Sequence, residues 1–274
     1  MFTQKNKIVF VIFSFLCLCN LVALLIAFDL NKNPGFEVMF FDVGQGDSAL
    51  IKTGEGHYIL IDGGPDSKII EKLSSEIPFW QKEIDLVLLT HPHSDHVNGL
   101  IDVIDKYDVK NIVWTGVLDT TSSYKTWLDL IEESNVIIAQ AGQRIKGDSF
   151  HMDILYPFAS LEGESFKDLN DTSIISRIVF SDKSFIFTGD ASRTQEELVA
   201  DMFELDTDVL SVGHHGSKTS TSKAFLEEVK PDYAVISAGR GNSYGHPHSQ
   251  TLELLENYGI KVLRTDIDGD IKFK

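Results

Sequence analysis

Three imidazoles and one carboxylate crowd into Thr90-His-Pro-His-Ser-Asp-His96, directly behind the apolar run Ile84-Asp-Leu-Val-Leu-Leu89. The run is short and continuous, and it reads as a buried strand. The residues after it then form a loop at a strand end, a ligand-rich segment on rigid support. Imidazole nitrogen and carboxylate oxygen suit zinc, and also manganese or iron, and the H-x-H-x-D-H spacing can divide its ligands between two adjacent ions. The bland alternative is a solvated turn whose imidazoles bind nothing. The strand-then-loop context argues against it.

The 274 residues allow one full hydrophobic core. At the N-terminus, Lys5 and Lys7 precede residues 8–28, which contain only Ser14 and Asn20 as clearly polar positions. About 20 mostly apolar residues suffice to cross a bilayer as a helix. A cleaved signal would need a shorter apolar core and a small-residue cleavage site, so residues 1–29 are expected to be a retained membrane anchor, with a signal sequence as the alternative. Lysines before the span and Asp29 after it predict a cytoplasmic N-terminus and an extracytoplasmic catalytic region. Both cysteines, Cys17 and Cys19, lie inside the span, so the remainder can form no disulfide. Without the first 29 residues the chain carries 22 Lys and Arg against 40 Asp and Glu, a formal charge of −18. That balance argues against a broad basic face for duplex nucleic acid. It leaves a phosphodiester substrate open, because bound cations invert the field of such a site.

Residues 30–35 read as a linker and residues 36–274 as one domain. Residues 37–42, 49–53 and 57–62 are expected to form an antiparallel meander with short glycine turns. Helices are expected over 67–76, 98–106, 123–134, 192–202, 223–230 and 249–258. Strands are expected over 111–114, 136–139, 151–156, 173–180, 184–189, 209–212 and 232–237, with a final one over 262–264. Two halves of strands flanked by helices predict an α/β fold of two sheets packed face to face with helices outside, a four-layer αββα sandwich.

Polar residues recur just behind apolar strands, at Asp42, Asp62, His91 to His96, Asp190 and His214-His215. If these strand ends share one edge, they converge on one cleft. Asp62 and Asp190, each beside glycine, can equally be turn formers, and either histidine of the pair can be structural. The set resembles the metallo-β-lactamase superfamily. More narrowly, Phe41-Asp-Val-Gly-Gln-Gly-Asp47, Leu60-Ile-Asp-Gly-Gly64, His214-His-Gly-Ser217 and Tyr244-Gly-His-Pro247 resemble the hydrolase domain of ComEC-type competence proteins. The multi-helix channel of those proteins has no counterpart here, so DNA transport does not carry over.

The resemblance implies a centre of one or two divalent ions, zinc or manganese. His91 and His93 would serve one ion, and Asp95, His96 and His214 the other, with Asp190 bridging. The position of a third histidine for the first ion corresponds to Asn170, in Leu169-Asn-Asp-Thr-Ser173, which predicts a weaker first site. Asp62 would orient a ligating imidazole, with Asp42, Gln45 and Asp47 supporting the same edge. Asp95 would also orient the nucleophile, and His215, His246 and His248 would be substrate contacts or proton donors.

The expected reaction is metal-assisted hydrolysis, in which an activated water attacks phosphorus in line. The expected substrate is a phosphodiester, above all single-stranded DNA or ends held locally at the cleft. Two alternatives stand beside this. One is a hydrolase of a small extracellular phosphoester or other ester, since fold does not decide substrate. The other is a membrane-tethered binding module without catalysis. β-Lactamase activity is the least expected.

Overall fold

The central strands of this chain, such as Tyr58–Ile61, Leu86–Leu88, Ile112–Trp114 and Tyr233–Ile236, are apolar on both faces, and such strands are stable only when covered on both sides. The computed structural model describes residues 4–30 and 35–274, in two units, Met1–Gly35 and Phe36–Lys274. In the first unit, α1 (Gln4–Leu30) includes the stretch Gln4–Leu24, which has a mean hydropathy of 2.4 and is long and apolar enough to cross a membrane. Most of the expected linker, residues 31–34, lies outside the described residues.

The second unit opens with the expected meander, β1 (Glu37–Phe40), β2 (Ala49–Lys52) and β3 (Tyr58–Ile61), paired antiparallel. There follow α2 (Lys68–Glu76), β4 (Glu83–Ile84), β5 (Leu86–Leu88), α3 (Ser94–Lys106), β6 (Asp108–Val109), β7 (Ile112–Trp114), α4 (Ser122–Ile131) and β8 (Val136–Ile138). Next come β9 (Arg144–Lys146), β10 (Phe150–Tyr156), β11 (Ile175–Phe180), β12 (Ser184–Phe187), α5 (Arg193–Met202), β13 (Val209–Ser211) and α6 (Lys223–Val229). The chain finishes with β14 (Tyr233–Ile236), α7 (Ser249–Asn257), β15 (Lys261–Arg264), α8 (Thr265–Asp268) and β16 (Ile271–Phe273). One sheet has the order β16-β1-β2-β3-β5-β7-β8 and the other β15-β14-β13-β12-β11-β10-β9, while β4 and β6 form a small parallel pair.

Side chains alternate across each strand. Val38 and Phe40 of β1, Ile59 and Ile61 of β3, and Leu86 and Leu88 of β5 meet Phe185 and Phe187 of β12 between the sheets. Met39, Leu60 and Val87 face the other way, onto Ile69 and Leu73 of α2, Val97 and Leu100 of α3 and Trp127 of α4. Ile186, Leu210 and Ala234 face Val199 of α5, Phe225 of α6 and Leu255 of α7. The result is the expected αββα sandwich.

Two local readings change, and one strand not assigned to a sheet finds its place. Helix α3 begins at Ser94, not at 98, so Asp95 and His96 sit on its first turn. A serine and an aspartate suit the positive end of the helix dipole. Strand β10 belongs to the second sheet, where it pairs with β11. The chain does not end with the strand near 264, because β16 returns to the first sheet and pairs antiparallel with β1. Three residues, with only Ile271 and Phe273 apolar, are too few to signal a strand by periodicity.

Candidate metal centre

Loops behind β1, β3, β5, β12, β13 and β14 meet at one edge of the sandwich. The loop behind β5 is set by a close backbone approach: Gly63 N donates to His96 O at 2.8 Å and Gly99 N to Gly64 O at 3.0 Å. A Cβ on Gly99 would overlap the Gly63 carbonyl, so the start of α3 lies directly on the turn that carries Asp62. Asp62 itself is buried and holds a left-handed backbone, with φ 55°. Its Oδ1 accepts the Thr90 amide at 2.8 Å, and its Oδ2 accepts the Thr90 hydroxyl at 2.7 Å and faces His96 Nδ1 at 2.8 Å. Burial pushes this carboxyl up, against the opposing pull of His96 and Thr90. Asp62 thereby sets the tautomer and direction of His96, turning Nε2 inward.

The other imidazoles are oriented in the same manner. His91 Nδ1 lies 3.2 Å from Thr90 Oγ1, and His215 Nδ1 lies 3.1 Å from Asp47 Oδ1 and 3.0 Å from Ser237 O. His214 Nδ1 lies 3.2 Å from Thr219 Oγ1. Each ring so placed points Nε2 toward Asp190, whose carboxylate is 3 % exposed. The separations from Asp190 oxygens are 3.4 Å for His96, 3.6 Å for His214, 3.7 Å for His215 and 3.9 Å for His91. These are too long for good hydrogen bonds. His93 Nδ1 stands 3.0 Å from His91 Nε2, and Asp95 Oδ2 stands 3.3 Å from His215 Nε2.

The electrostatics follow from burial and from this crowding. Burial would raise Asp190, but His215, His96 and His91 hold it well below the usual carboxylate range. Burial would likewise raise Asp95, and His215 and His96 hold it low. Burial would lower His96 and His215, yet Asp190 with Asp62, and Asp190 with Asp47, raise them well above the ordinary imidazole value. His91 goes the other way, pushed well down by burial and by the charge of His96. Burial and the rings of His215, His214 and His248 bring His246 down to about 4.

The donor set fits a divalent ion. His96 Nε2 and Asp190 Oδ1 are buried with no hydrogen-bond partner, a costly state for polar atoms that a cation would relieve. Among the described residues, four three-residue groups have donor atoms mutually within 4.8 Å: His91, His96 and Asp190; Asp95, His96 and His215; Asp47, Asp62 and His96; and Asp47, Asp190 and His215. His215 thus stands with Asp95 and His96, where the sequence reading put His214, whereas His214 lies 3.6 Å from Asp190 Oδ2 and joins none of these groups.

The remaining expected residues fall at different depths. Asn170 sits on a 3₁₀ turn (Leu169–Thr172), with its side-chain carbonyl buried and unpartnered. That turn reaches the centre through Ser173, whose Oγ accepts the Asp190 amide at 3.1 Å. His246 packs beside His214 and His215 with ring centroids 5.5 and 6.1 Å away, and the exposed Tyr244 stacks on it at 5.8 Å. His248 lies 5.1 Å from His246 and stands just ahead of α7 without a side-chain hydrogen bond to it. Asp42 accepts the Gly44 amide and faces Lys68, and Gln45 accepts the Gly239 amide, so both shape the β1 loop. Thr90, Thr219 and Ser237 escaped the sequence reading, because a hydroxyl or a carbonyl behind a histidine carries no pattern of its own. Glu196 escaped it too. It is buried on α5 and accepts the Thr221 and Ser222 amides at 2.9 and 2.7 Å, which holds the far end of the loop bearing His214 and His215.

A sequence profile of the metallo-beta-lactamase superfamily matches residues 41–240. The chain is 32% identical over 275 residues to ComE operon protein 3 of Bacillus subtilis (strain 168), an alignment that covers 93% of this chain and 35% of that protein. The chain therefore spans about a third of the length of this relative. It is 25% identical over 183 residues to Exodeoxyribonuclease WalJ of Streptococcus pneumoniae, covering 66% of this chain and 63% of the relative. Among solved structures, a metallo hydrolase from the archaeon Ignicoccus hospitalis superposes with a TM-score of 0.54 at 16% identity, over 87% of this chain and 99% of the other. At that identity the likeness speaks for the fold alone.

Proposed function

The chain belongs to the metallo-β-lactamase superfamily, and from that premise we propose that residues 36–274 form a divalent-cation-dependent phosphodiesterase that cleaves nucleic acid. The observation that carries this reading is the ring of imidazoles and carboxylates around one buried Asp190, with His96 Nε2 and Asp190 Oδ1 left without partners. His91, His93, Asp95, His96, Asp190, His214 and His215 would hold the ions. Such ions, zinc or manganese, supply a water deprotonated near neutral pH and stabilise charge on phosphoryl oxygens. Asp62, Asp47, Thr90 and Thr219 keep the imidazoles in one tautomer and one direction. Asp95, 30 % exposed beside His215, would orient the attacking water. His246 packs beside His214 and His215 and Tyr244 stacks on it, so that Tyr244 would meet a neighbouring nucleotide.

Nucleic acid is favoured over small phosphoesters by the relatives, one of which is named an exodeoxyribonuclease and another a ComE operon protein. The acidic surface favours single strands or ends over duplex. The apolar helix α1 supports attachment to a membrane, and the lysines ahead of it support an extracytoplasmic domain.

The test is a cleavage assay of the detergent-solubilised chain with single-stranded DNA, duplex DNA, RNA and a model phosphodiester, each with zinc and with manganese. Single-stranded DNA should be cut fastest, and Asp190→Asn, which fills the same buried space, should abolish cutting while the far-ultraviolet circular dichroism stays that of the parent. A cation-loaded protein that leaves every polynucleotide intact would overturn the reading.

A further inference from the structure

With 82 % and 69 % of their surfaces exposed, Phe79 and Trp80 are the most exposed large apolar residues among those described in Phe36–Lys274. They occupy the central positions of a turn closed by Gln81 N, which donates to Pro78 O at 2.9 Å. Such positions ordinarily carry proline, glycine or a small polar residue. Both flanks of the turn are fixed. Ile77 is buried and its amide donates to Leu73 O at 2.7 Å, while Lys82 O accepts the Asp108 amide at 2.7 Å. The two rings pack edge to face, with centroids 4.9 Å apart and 81° between their planes. The pair is a preformed apolar tip, held clear of the core by the fold.

The tip stands at the end of the sandwich where the chain enters it. Glu37, the first residue of β1, accepts from Lys52 at 3.4 Å and pairs with Lys274 at 3.0 Å. Glu76, the last residue of α2 and close before Phe79, accepts from the same Lys52 at 3.0 Å and from Lys272 at 2.9 Å. Strands β1, β3 and β5 all run away from this end, since β1 and β3 are both antiparallel to β2 and β5 is parallel to β3. The loops behind them carry Asp47, Asp62 and His91 to His96. The aromatic tip and the metal centre therefore lie at opposite edges of the domain.

We propose that Phe79 and Trp80 insert into the interfacial layer of the membrane that α1 crosses, so that the domain rests on the bilayer by its entry end and turns the metal centre toward solution. Such docking rests on attachment through α1 and goes beyond it, by fixing which face meets the lipid. Residues 31–35 alone separate Leu30 from Phe36, and a chain of that length spans at most about 20 Å. The entry end of the domain is thereby kept near the bilayer surface. A tether this short supplies an effective concentration on the order of millimolar, at which even a weak insertion is populated. Tryptophan suits that depth, with an apolar body for the acyl boundary and an N–H for the headgroups.

A second copy of the chain fits the tip less well. Two aromatic side chains cover about 300–500 Å², against about 800 Å² on each partner of a stable interface. The charged Lys82, Asp108 and Lys110 beside the turn add no apolar surface to it. In a chain as acidic as this one, the contact draws on apolar area and not on charge.

Trp80 reports on its own insertion, because the other two tryptophans, Trp114 and Trp127, are buried and α1 contains none. The full-length chain, reconstituted into phosphatidylcholine vesicles with and without bromine on the acyl chains, should float with the vesicles and lose most of its Trp80 emission to the brominated lipid. Trp80→Phe isolates that component and should show almost no quenching. Phe79→Ser keeps the reporter, removes one of the two rings and should lessen the quenching while flotation is unchanged. Quenching should persist at high salt and without anionic lipid. A chain that floats but keeps its full emission, that is quenched only by anionic lipid at low salt, or that is quenched no more than Trp80→Phe, would overturn the docking and leave the anchor standing. A chain that does not float would overturn both.

Discussion

Glu196 is the residue whose burial has the plainest measurable consequence. Burial raises its carboxyl to about 8, although the Thr221 and Ser222 amides and Arg193 pull the other way. In the unfolded chain the same group titrates near the ordinary glutamate value of 4.5. A folded-state pKa above the unfolded one means stability that is complete below pH 4.5 and is lost as pH rises through about 8. Glu196→Gln cannot titrate, so urea unfolding at about pH 5 and about pH 8.5 should show the parent losing more stability between the two than the variant. Equal losses would mean that the two amides hold the carboxylate ionised throughout. Asp62 illustrates how differently a second buried acid is used. Both of its oxygens are occupied by Thr90 and His96, and its burial is the means by which one imidazole is aimed.

At the scale of elements, two segments position the centre. Helix α3 carries Asp95 and His96 and touches the Asp62 turn through Gly63 and Gly99, backbone against backbone. Gly99→Ala adds about 1 kcal/mol of helix propensity but forces α3 off the turn, an overpacking cost of about 1–3 kcal/mol. The thermal midpoint and the Zn²⁺ affinity should therefore fall together; an unchanged midpoint with full affinity would show that α3 slides freely. The loop of residues 239–248 presents Tyr244, 65 % exposed and stacked on His246 with 23° between the rings. Base stacking on an aromatic ring is worth about 1–3 kcal/mol. Tyr244→Ala should thus raise KM for single-stranded DNA about ten-fold and leave kcat for a model phosphodiester unchanged. A fall in kcat with unaltered KM would place Tyr244 in the chemistry instead.

At the scale of the whole molecule, the formal charge of −17 dominates. With few lysines and arginines available to meet phosphates, single-stranded DNA should bind with a shallow salt dependence, a log–log slope no steeper than about −1.5, as for two phosphate contacts. A slope near −4 would reveal a basic track that the composition hides. The helix α1 bears Lys5 and Lys7 ahead of its apolar stretch and Asp29 near its end. The proposed topology follows from that bias, and protease added to spheroplasts should remove residues 36–274 and leave the helix in the membrane. Protection until the membrane is broken would place the domain inside and remove extracellular nucleic acid from consideration.

Strand positions, the meander, the αββα layering and the family were legible because short apolar runs bounded by turn residues and the His91 to His96 spacing are local patterns. Asp62 and Asp190 could be named as candidates because each stands directly behind an apolar strand. Tertiary structure alone decided the rest. Whether His214 or His215 stands beside Asp95 depends on two left-handed residues that no composition reports. The supporting partners Asp47, Thr90, Thr219 and Ser237 come from four separate loops. The return of β16 to β1 pairs residues more than 230 positions apart in sequence, a distance over which no pattern of residues can announce a hydrogen bond. Local chemistry determined which side chains were available for a cation, and the meeting of distant strand ends determined which of them gather around Asp190.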